Sequence, residues 1–168
     1  MARKVAILVE DYFDERELIY PYFRFMEAGY DVELIGPKKK EYHGKSTFTI
    51  HADKGVDEVK PEEYVALFIP GGYAPDRLRR HDSILNFVKT MNEKGKVIGA
   101  VCHAPWVLIS AGIIKNRKVT GFYAIKDDIV NAGAVYTGSK VEVDGNLITG
   151  TDPSALPEML VKMLELLK

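Results

Sequence analysis

The residues best suited to covalent chemistry in this chain surround its single cysteine. Cys102 is followed directly by His103 in the segment Val97-Ile-Gly-Ala-Val-Cys-His-Ala-Pro105. A thiol can attack a carbonyl carbon, and a neighbouring imidazole can accept the thiol proton. Ala100 and Ala104 flank the cysteine at two-residue offsets, and small neighbours are typical of a nucleophile elbow, where bulky side chains would collide. The segment therefore predicts a nucleophile at position 102.

The elbow also predicts how the thiol is activated. Cys102 lies between a predicted strand, Lys96 to Val101, and a predicted helix, Ala104 to Ala111. The partial positive charge at a helix N-terminus favours a thiolate. Two general facts weigh against a catalytic Cys102. Most free cysteines are small hydrophobic residues of the core, and the side chains of residues adjacent in sequence, such as Cys102 and His103, often point apart at a sharp turn. The spacing alone leaves both interpretations open.

The elements around the elbow alternate between strand and helix. Apolar runs predict strands at Lys4 to Val9, Asp31 to Gly36, Tyr64 to Ile69, Lys96 to Val101, Ala134 to Tyr136, Val141 to Val143 and Leu147 to Thr149, with a small β excursion over His43 to Val56. Helical spacing predicts helices at Asp14 to Gly29, Asp82 to Lys94, Ala104 to Ala111, Ile125 to Asn131 and up to Lys168. This alternation is typical of a layered α/β fold with a mainly parallel sheet, and such sheets bind ligands at the carboxyl ends of their strands. The chemistry is therefore expected at Glu10 to Asp14, at Pro70 to Tyr73 and at Cys102.

Bulk composition limits the classes of function. The 168 residues, 46% of them hydrophobic, fit one domain over positions 1–168, without linker or repeat. The formal charge of -1 offers no basic field for nucleic acid, and no apolar run is long enough to span a membrane. A lone cysteine suits a reducing compartment, so we expect a cytoplasmic protein.

Neither a metal nor an organic cofactor is predicted. His43, His51 and His81 show no metal-ligand spacing with carboxylates or with the cysteine. The chain also lacks a phosphate loop and a dinucleotide-binding glycine pattern.

Several motifs together resemble those of the ThiJ/PfpI superfamily, in particular its PfpI branch of intracellular proteases and deglycases. They are Glu17-Leu-Ile-Tyr-Pro21, Ile69-Pro-Gly-Gly-Tyr-Ala-Pro-Asp76, Val101-Cys-His-Ala-Pro105, Ile125-Lys-Asp-Asp128 and Asn131-Ala-Gly133. The motifs occur in the family's order and span most of the chain. The resemblance implies a flavodoxin-like three-layer sandwich similar to class I glutamine amidotransferases.

The resemblance also implies roles for individual residues. Cys102 matches the family nucleophile and His103 the histidine after it. Asp14 stands where the family has a glutamate that contacts the sulfur, and a protonated carboxyl there would donate a hydrogen bond to a thiolate. Aspartate is one methylene shorter, and Asp14 also fits a helix N-cap with Glu17 in a capping box. Glu17 is the alternative acid, although helical spacing favours the helix surface or a capping role for it.

Two further groups complete the implied site. Gly71 and Gly72 end a buried strand, where glycines allow backbone N–H groups to form an oxyanion hole, with Gly72 and the backbone of Cys102 and His103 as the expected donors. Asp76 stands where PfpI proteases carry an acid that reaches the histidine of a neighbouring subunit. An intersubunit triad, and with it a dimer or a hexamer built as a trimer of dimers, is implied.

Aromatic residues near the strand ends are expected mainly in packing. They are Tyr12, Tyr73, Trp106, Phe122 and Tyr123. We single out Tyr73 and Tyr123 as pocket residues.

The predicted function is that of a cysteine enzyme acting on carbonyl carbon, with a small carbonyl compound or a peptide as substrate. Deglycase or glyoxalase activity on methylglyoxal and glycated adducts, and intracellular peptidase activity, both fit the residues. The alternative is a non-enzymatic protein, a thiol redox sensor or a stress-protective holdase chaperone, in which a low-pKa thiol is oxidised without turnover of a carbonyl substrate.

Overall fold

A seven-stranded sheet forms the centre of the molecule, and the computed structural model describes all residues 1–168. The strands are β1 (Lys4–Leu8), β2 (Asp31–Gly36), β3 (Glu41–His43), β4 (Thr49–His51), β5 (Lys54–Gly55), β6 (Tyr64–Ile69), β7 (Val97–Val101), β8 (Lys118–Val119), β9 (Val135–Tyr136), β10 (Val141–Asp144) and β11 (Leu147–Gly150). The helices are α1 (Glu15–Glu27), α2 (Ala74–Leu78), α3 (Asp82–Glu93), α4 (Pro105–Ser110), α5 (Lys126–Asn131) and α6 (Leu156–Leu166). None of these helices has the length and apolar character that a membrane crossing requires.

The strand order explains where a ligand site must form. The central sheet runs β10-β11-β7-β6-β1-β2-β5, and only the β10–β11 pair is antiparallel. The predicted α/β class with a mainly parallel sheet is confirmed. From β1 the chain first adds β2 on one side and later β6 on the other, which makes the β1–β6 gap a switch point where open sheets bind ligands.

Helices cover both faces of the sheet because alternate strand residues are buried on opposite sides. On one face, Ala6, Leu8 and Leu67 pack in a cluster of 26 buried residues with α3, α4 and α5. On the other face, Val5 and Ile7 belong to a cluster of 21 buried residues that includes α1 and α6. These two cores hold the strand ends, and therefore the site, in fixed positions.

The predicted elements agree with the structure in order and type. The strands Asp31–Gly36 and Tyr64–Ile69 have the predicted bounds. The β excursion is an antiparallel hairpin of β3 and β4, followed by β5, which joins the central sheet. The sequence analysis missed α2 and β8, which are five and two residues long, because such short elements leave no periodic pattern.

Candidate active site

The strand-to-helix junction has the backbone conformation of an elbow. Cys102 follows β7 with a φ of 60°, in the left-handed region that a side chain rarely adopts. Its amide N–H donates to the Gly150 carbonyl at 3.0 Å, and its carbonyl accepts from the Phe122 amide at 2.9 Å. These two bonds hold the strained residue from both sides, and its thiol is half-buried.

The thiol and the neighbouring imidazole are in contact. Sγ of Cys102 lies 3.2 Å from Nδ1 of His103, within hydrogen-bonding distance, and an imidazole that carries its hydrogen on Nε2 accepts the thiol proton there. Burial, followed by the charge of Lys45, lowers the pKa of His103 below its usual 6.5. The ring is therefore uncharged at neutral pH and is available as a base. Its second nitrogen, Nε2, has no hydrogen-bond partner within the chain.

The buried acid beside the thiol is Glu17. Its Oε1 accepts the Gly71 amide N–H at 2.8 Å, and its Oε2 is buried without any partner. A Cβ placed on Gly71 would lie 2.5 Å from Oε1 of Glu17 and 2.9 Å from Cβ of Cys102. The side chains of Glu17 and Cys102 therefore lie next to each other beside Gly71. Burial raises the pKa of Glu17 to about 8, and the charge of Asp14 adds to the increase. Glu17 is therefore a protonated carboxylic acid at neutral pH.

Asp14 does not have the protonated, sulfur-bonding role expected of it. Its carboxylate caps α1 by accepting the Arg16 and Glu17 amides, at 3.0 and 3.4 Å, and it pairs with the side chains of Arg16 and Lys45, at 2.8 and 3.3 Å. Burial alone would raise the pKa of Asp14, but the bonds and charges of Arg16 and Lys45 outweigh it and lower that pKa. An ionised Asp14 cannot donate to sulfur. The N-cap alternative is confirmed, without the capping-box bond from Glu17.

The thiol pKa is raised overall, contrary to expectation, because burial outweighs the backbone donor at the turn. Burial raises the pKa of Cys102 above its usual value, and the charge of an ionised Glu17 would raise it further. The backbone N–H of His103 acts in the opposite direction but is the weaker influence. The helix that follows is only six residues long, so its dipole is small. The resting sulfur is a thiol that needs a base.

The free backbone donors near the sulfur are fewer than expected. The Gly71 amide is used by Glu17, and the Cys102 amide is used by Gly150. The Gly72 amide has no backbone acceptor, and the His103 amide has only the Cys102 sulfur as an acceptor. Gly72 has a φ of 75°, and any Cβ there would lie 2.5 Å from the Tyr12 carbonyl oxygen. The expected oxyanion donors are therefore reduced to Gly72 and His103.

These groups open into one cavity of about 290 Å³. Its lining residues are Asp14, Arg16, Glu17, Lys45, Gly72, Tyr73, Cys102, His103, Phe122, Asp152 and Pro153. Tyr73 lies at the cavity, as expected. Tyr123 is 75% exposed and does not line it; this prediction is wrong because the side chain faces solvent. Phe122 takes the place beside the site, with its ring stacked 5.0 Å from that of His103.

Asp76 lies outside this cavity. It is on α2, half-exposed, and its carboxylate accepts a hydrogen bond from Arg80 one turn later. Within one chain it makes no contact with His103, so any role with the imidazole requires a second copy.

Sequence reasoning missed three charged residues at the cavity. Arg16, Lys45 and Asp152 come from α1, from the loop between β3 and β4, and from the turn before α6. Their positions in sequence carry no common spacing, and only the fold brings them together. No group of three His, Cys, Asp or Glu side chains is placed to hold a metal ion.

Known proteins match this chain over nearly its whole length. The model of the DJ-1/PfpI family matches residues 3–166. Deglycase PfpI of Pyrococcus furiosus is 38% identical over 98% of this chain and 99% of its own length. Putative cysteine protease YraA of Bacillus subtilis is 38% identical over the whole of both chains.

Solved structures agree with the fold. A two-domain protein of Anabaena variabilis, which contains a DJ-1/ThiJ/PfpI-like and a ferritin-like domain, matches with a TM-score of 0.96 and 39% identity. The match covers 98% of this chain and 48% of that one. The expected flavodoxin-like sandwich is thereby confirmed.

Proposed function

Because the chain belongs to the DJ-1/PfpI family, we propose that it is a cysteine-dependent deglycase. Its substrates in this proposal are methylglyoxal and the early adducts that methylglyoxal forms with amines. The main support is the contact between a neutral thiol and a neutral imidazole, Sγ of Cys102 to Nδ1 of His103 at 3.2 Å, beside a carboxylic acid that keeps its proton.

The first step is attack of sulfur on the aldehyde carbon. The S–H proton of Cys102 passes to Nδ1 of His103 while the new C–S bond forms. Negative charge develops on the carbonyl oxygen, which accepts hydrogen bonds from the Gly72 amide and from the His103 amide as the latter leaves the sulfur. The proton on the imidazole then returns to that oxygen. With an amine adduct as substrate, sulfur replaces the amine, which leaves with a proton.

The second step is an internal oxidation and reduction. The C–H proton of the carbon bound to sulfur moves to the neighbouring ketone carbon, and the proton of its hydroxyl group moves to the ketone oxygen. These transfers convert the hemithioacetal into a thioester of lactate. The first carbon is oxidised and the second reduced, so no outside oxidant is needed. Glu17 suits this transfer because, as a protonated acid with a pKa of about 8, it can donate its proton to the ketone oxygen and then, as the carboxylate, accept the proton from the carbon bound to sulfur.

The last step is hydrolysis of the thioester. Water adds to the thioester carbonyl, the sulfur leaves, and lactate and the free thiol of Cys102 are released. In total, one methylglyoxal and one water give one lactic acid. The protonated Glu17 stabilises the leaving thiolate, because its unpartnered Oε2 then has an acceptor for its proton.

Self-association is part of the proposal. When Nδ1 of His103 accepts the thiol proton, the neutral ring carries its own hydrogen on Nε2, and that N–H has no acceptor within the chain. The half-exposed carboxylate of Asp76 from a second copy would provide one. We propose that such contacts build a dimer, or a hexamer formed as a trimer of dimers.

The cavity favours a small substrate over a polypeptide. Its volume of about 290 Å³ is at the lower limit of ordinary ligand pockets. A three-carbon dicarbonyl fits that space with room for water. Peptidase activity, the name given to the Bacillus relative, is the second candidate.

The deciding experiment measures lactate formation from methylglyoxal by the wild-type protein and by Cys102→Ala. A fluorogenic peptide is assayed in parallel. The oxidation of Cys102 by hydrogen peroxide is measured by mass spectrometry. Lactate formation that is lost in Cys102→Ala supports the deglycase. Cysteine-dependent peptide cleavage alone would replace it with a peptidase, and peroxide reactivity without either turnover would replace it with a thiol sensor.

A further inference from the structure

The imidazole of His103 is held in place by rings rather than by polar bonds. Phe122 stacks on one face at 5.0 Å, with 28° between the ring planes. Trp106 approaches at 5.1 Å with its plane at 65°. The only hydrogen bond of the imidazole within the chain is the one to the Cys102 sulfur. The orientation of the imidazole towards the Cys102 sulfur therefore depends on Phe122 and Trp106.

Trp106 is itself fixed from outside. Its indole N–H donates to Oδ2 of Asp128 at 3.0 Å, and the guanidinium of Arg79 lies 5.6 Å from its ring. Arg79 is in turn bonded through Nε to Oγ of Ser110, at 2.8 Å. Two regions far apart in sequence, the C-terminal end of α2 and helix α5, thus converge on one indole ring.

We propose that Trp106 is a positioning residue for His103 and that Asp128 sets the angle of the Trp106 ring. Asp128 ends the Ile125-Lys-Asp-Asp128 segment, and the reaction steps leave that segment without a role. Its neighbour Asp127, also exposed, makes no hydrogen bond to the indole. The same helix therefore supplies both the test residue and its control.

The positioning role rests on the proposed function, but the chain allows a test that does not need the substrate. Cys102 is the only cysteine, so alkylation by iodoacetamide reports on this sulfur alone. The rate of alkylation depends on transfer of the Cys102 proton to His103, and it should rise with pH as the imidazole becomes neutral. The charged or titratable side chains that share the cavity with the imidazole are Asp14, Arg16, Glu17, Lys45, Tyr73, Cys102 and Asp152. They are unchanged in every variant below.

Two substitutions at Trp106 distinguish its ring contact with His103 from its hydrogen bond to Asp128. Trp106→Ala removes the ring, lets water reach His103, and should move the midpoint of the alkylation profile upward, towards pH 6.5. Its rate at the plateau, and its turnover of methylglyoxal, should fall about tenfold, less than the ~10²–10⁴-fold that a general base contributes. Trp106→Phe keeps an aromatic edge but loses the N–H, and should behave like Asp128→Ala.

The Asp128 variants test the hydrogen bond between the Trp106 indole and Asp128. Asp128→Ala should lower both rates roughly threefold, as expected for one partly exposed hydrogen bond. Asp128→Asn keeps an acceptor for the indole and should restore the wild-type rates, while Asp127→Ala should not differ from wild type. His103→Ala gives the profile without any imidazole.

The outcomes separate the two proposals. A changed alkylation profile in the Trp106 and Asp128 variants supports the positioning role even if the wild-type protein makes no lactate. Profiles identical to wild type overturn it, because a residue that only packs lowers the melting temperature without moving the midpoint. If Trp106→Ala fails to fold, Trp106→Phe and Asp128→Ala still decide the question.

Discussion

Replacing Glu17 by glutamine tests whether this acid carries a proton in the folded protein. Glutamine has nearly the same shape, keeps an oxygen to accept the Gly71 amide, and cannot ionise. If the native carboxyl is protonated, the wild-type protein and Glu17→Gln should be similarly stable in acid. They should differ progressively as the pH rises.

The magnitude follows from linkage. The pKa of Glu17 rises from 4.5 in the unfolded chain to about 8 in the folded protein. Between these values the folded state holds a proton that the unfolded state has released, so stability falls by about 1.4 kcal/mol per pH unit. The contribution is fully present below pH 4.5 and is lost as the pH rises through about 8. About 4 kcal/mol of the loss should occur between pH 5 and pH 8.

The assay is urea unfolding of both proteins at intervals from pH 5 to pH 9, at one protein concentration. The fluorescence of Trp106, the only tryptophan, follows unfolding. The quantity of interest is the difference in unfolding free energy between the proteins, because other titrating groups largely cancel in it. Repeating the pair in a Cys102→Ala background removes the titration of the neighbouring thiol.

A control of opposite sign lies on the same helix. The Glu15 carboxylate accepts two hydrogen bonds from Ser46, and these bonds lower its pKa although burial acts against them. Glu15→Gln should therefore be less stable than wild type by an amount that stays constant above pH 5. If the Glu17→Gln difference is equally constant, Glu17 is ionised at neutral pH. It could not then donate a proton to sulfur, and the proposed second and third steps would have to be abandoned.

Three further predictions concern the same site. Cys102→Gly should be about 1 kcal/mol more stable than Cys102→Ala in urea unfolding, because a φ of 60° strains alanine and not glycine; the reverse order would contradict the elbow. Gly71→Ala should lower methylglyoxal turnover about 100-fold, since the added methyl displaces Glu17, whereas Gly95→Ala, with open space around it, should retain activity per folded molecule. Because the pKa of His103 is lowered, kcat/KM should still be high just below pH 6.5 and should fall only at lower pH, where the imidazole is protonated. A fall in kcat/KM with a midpoint at or above pH 6.5 would exclude His103 as the base.

The sequence predicted the fold and the nucleophile well because both depend on local pattern. Buried parallel strands are continuous apolar runs, and the strands Asp31–Gly36 and Tyr64–Ile69 have the expected bounds. The elbow needs small residues around the turn, and Ala100 and Ala104 are both fully buried there. Such requirements are visible without any knowledge of distant contacts.

Electrostatics could not be predicted in the same way. The thiol pKa was expected to fall because a helix follows, but burial and the nearby acid raise it. The pKa of Asp14 depends on Lys45, which is 31 residues away in sequence and only 3.3 Å away in space. Contacts of this kind reverse the sign of a shift, and no spacing rule reveals them.

The choice between Asp14 and Glu17 shows how the fold assigns roles to two acids on one helix end. In an isolated helix, Glu17 would turn back to cap the Asp14 amide. Here the Asp14 amide already donates to the Gly71 carbonyl at 3.3 Å, so the capping site is occupied. Glu17 instead accepts the Gly71 amide, and the same glycine thereby places one buried acid beside two cations and the other beside the thiol. Because a glycine at position 71 is needed for both contacts, the second acid of the site is determined by the turn after β6 rather than by the helix that carries it.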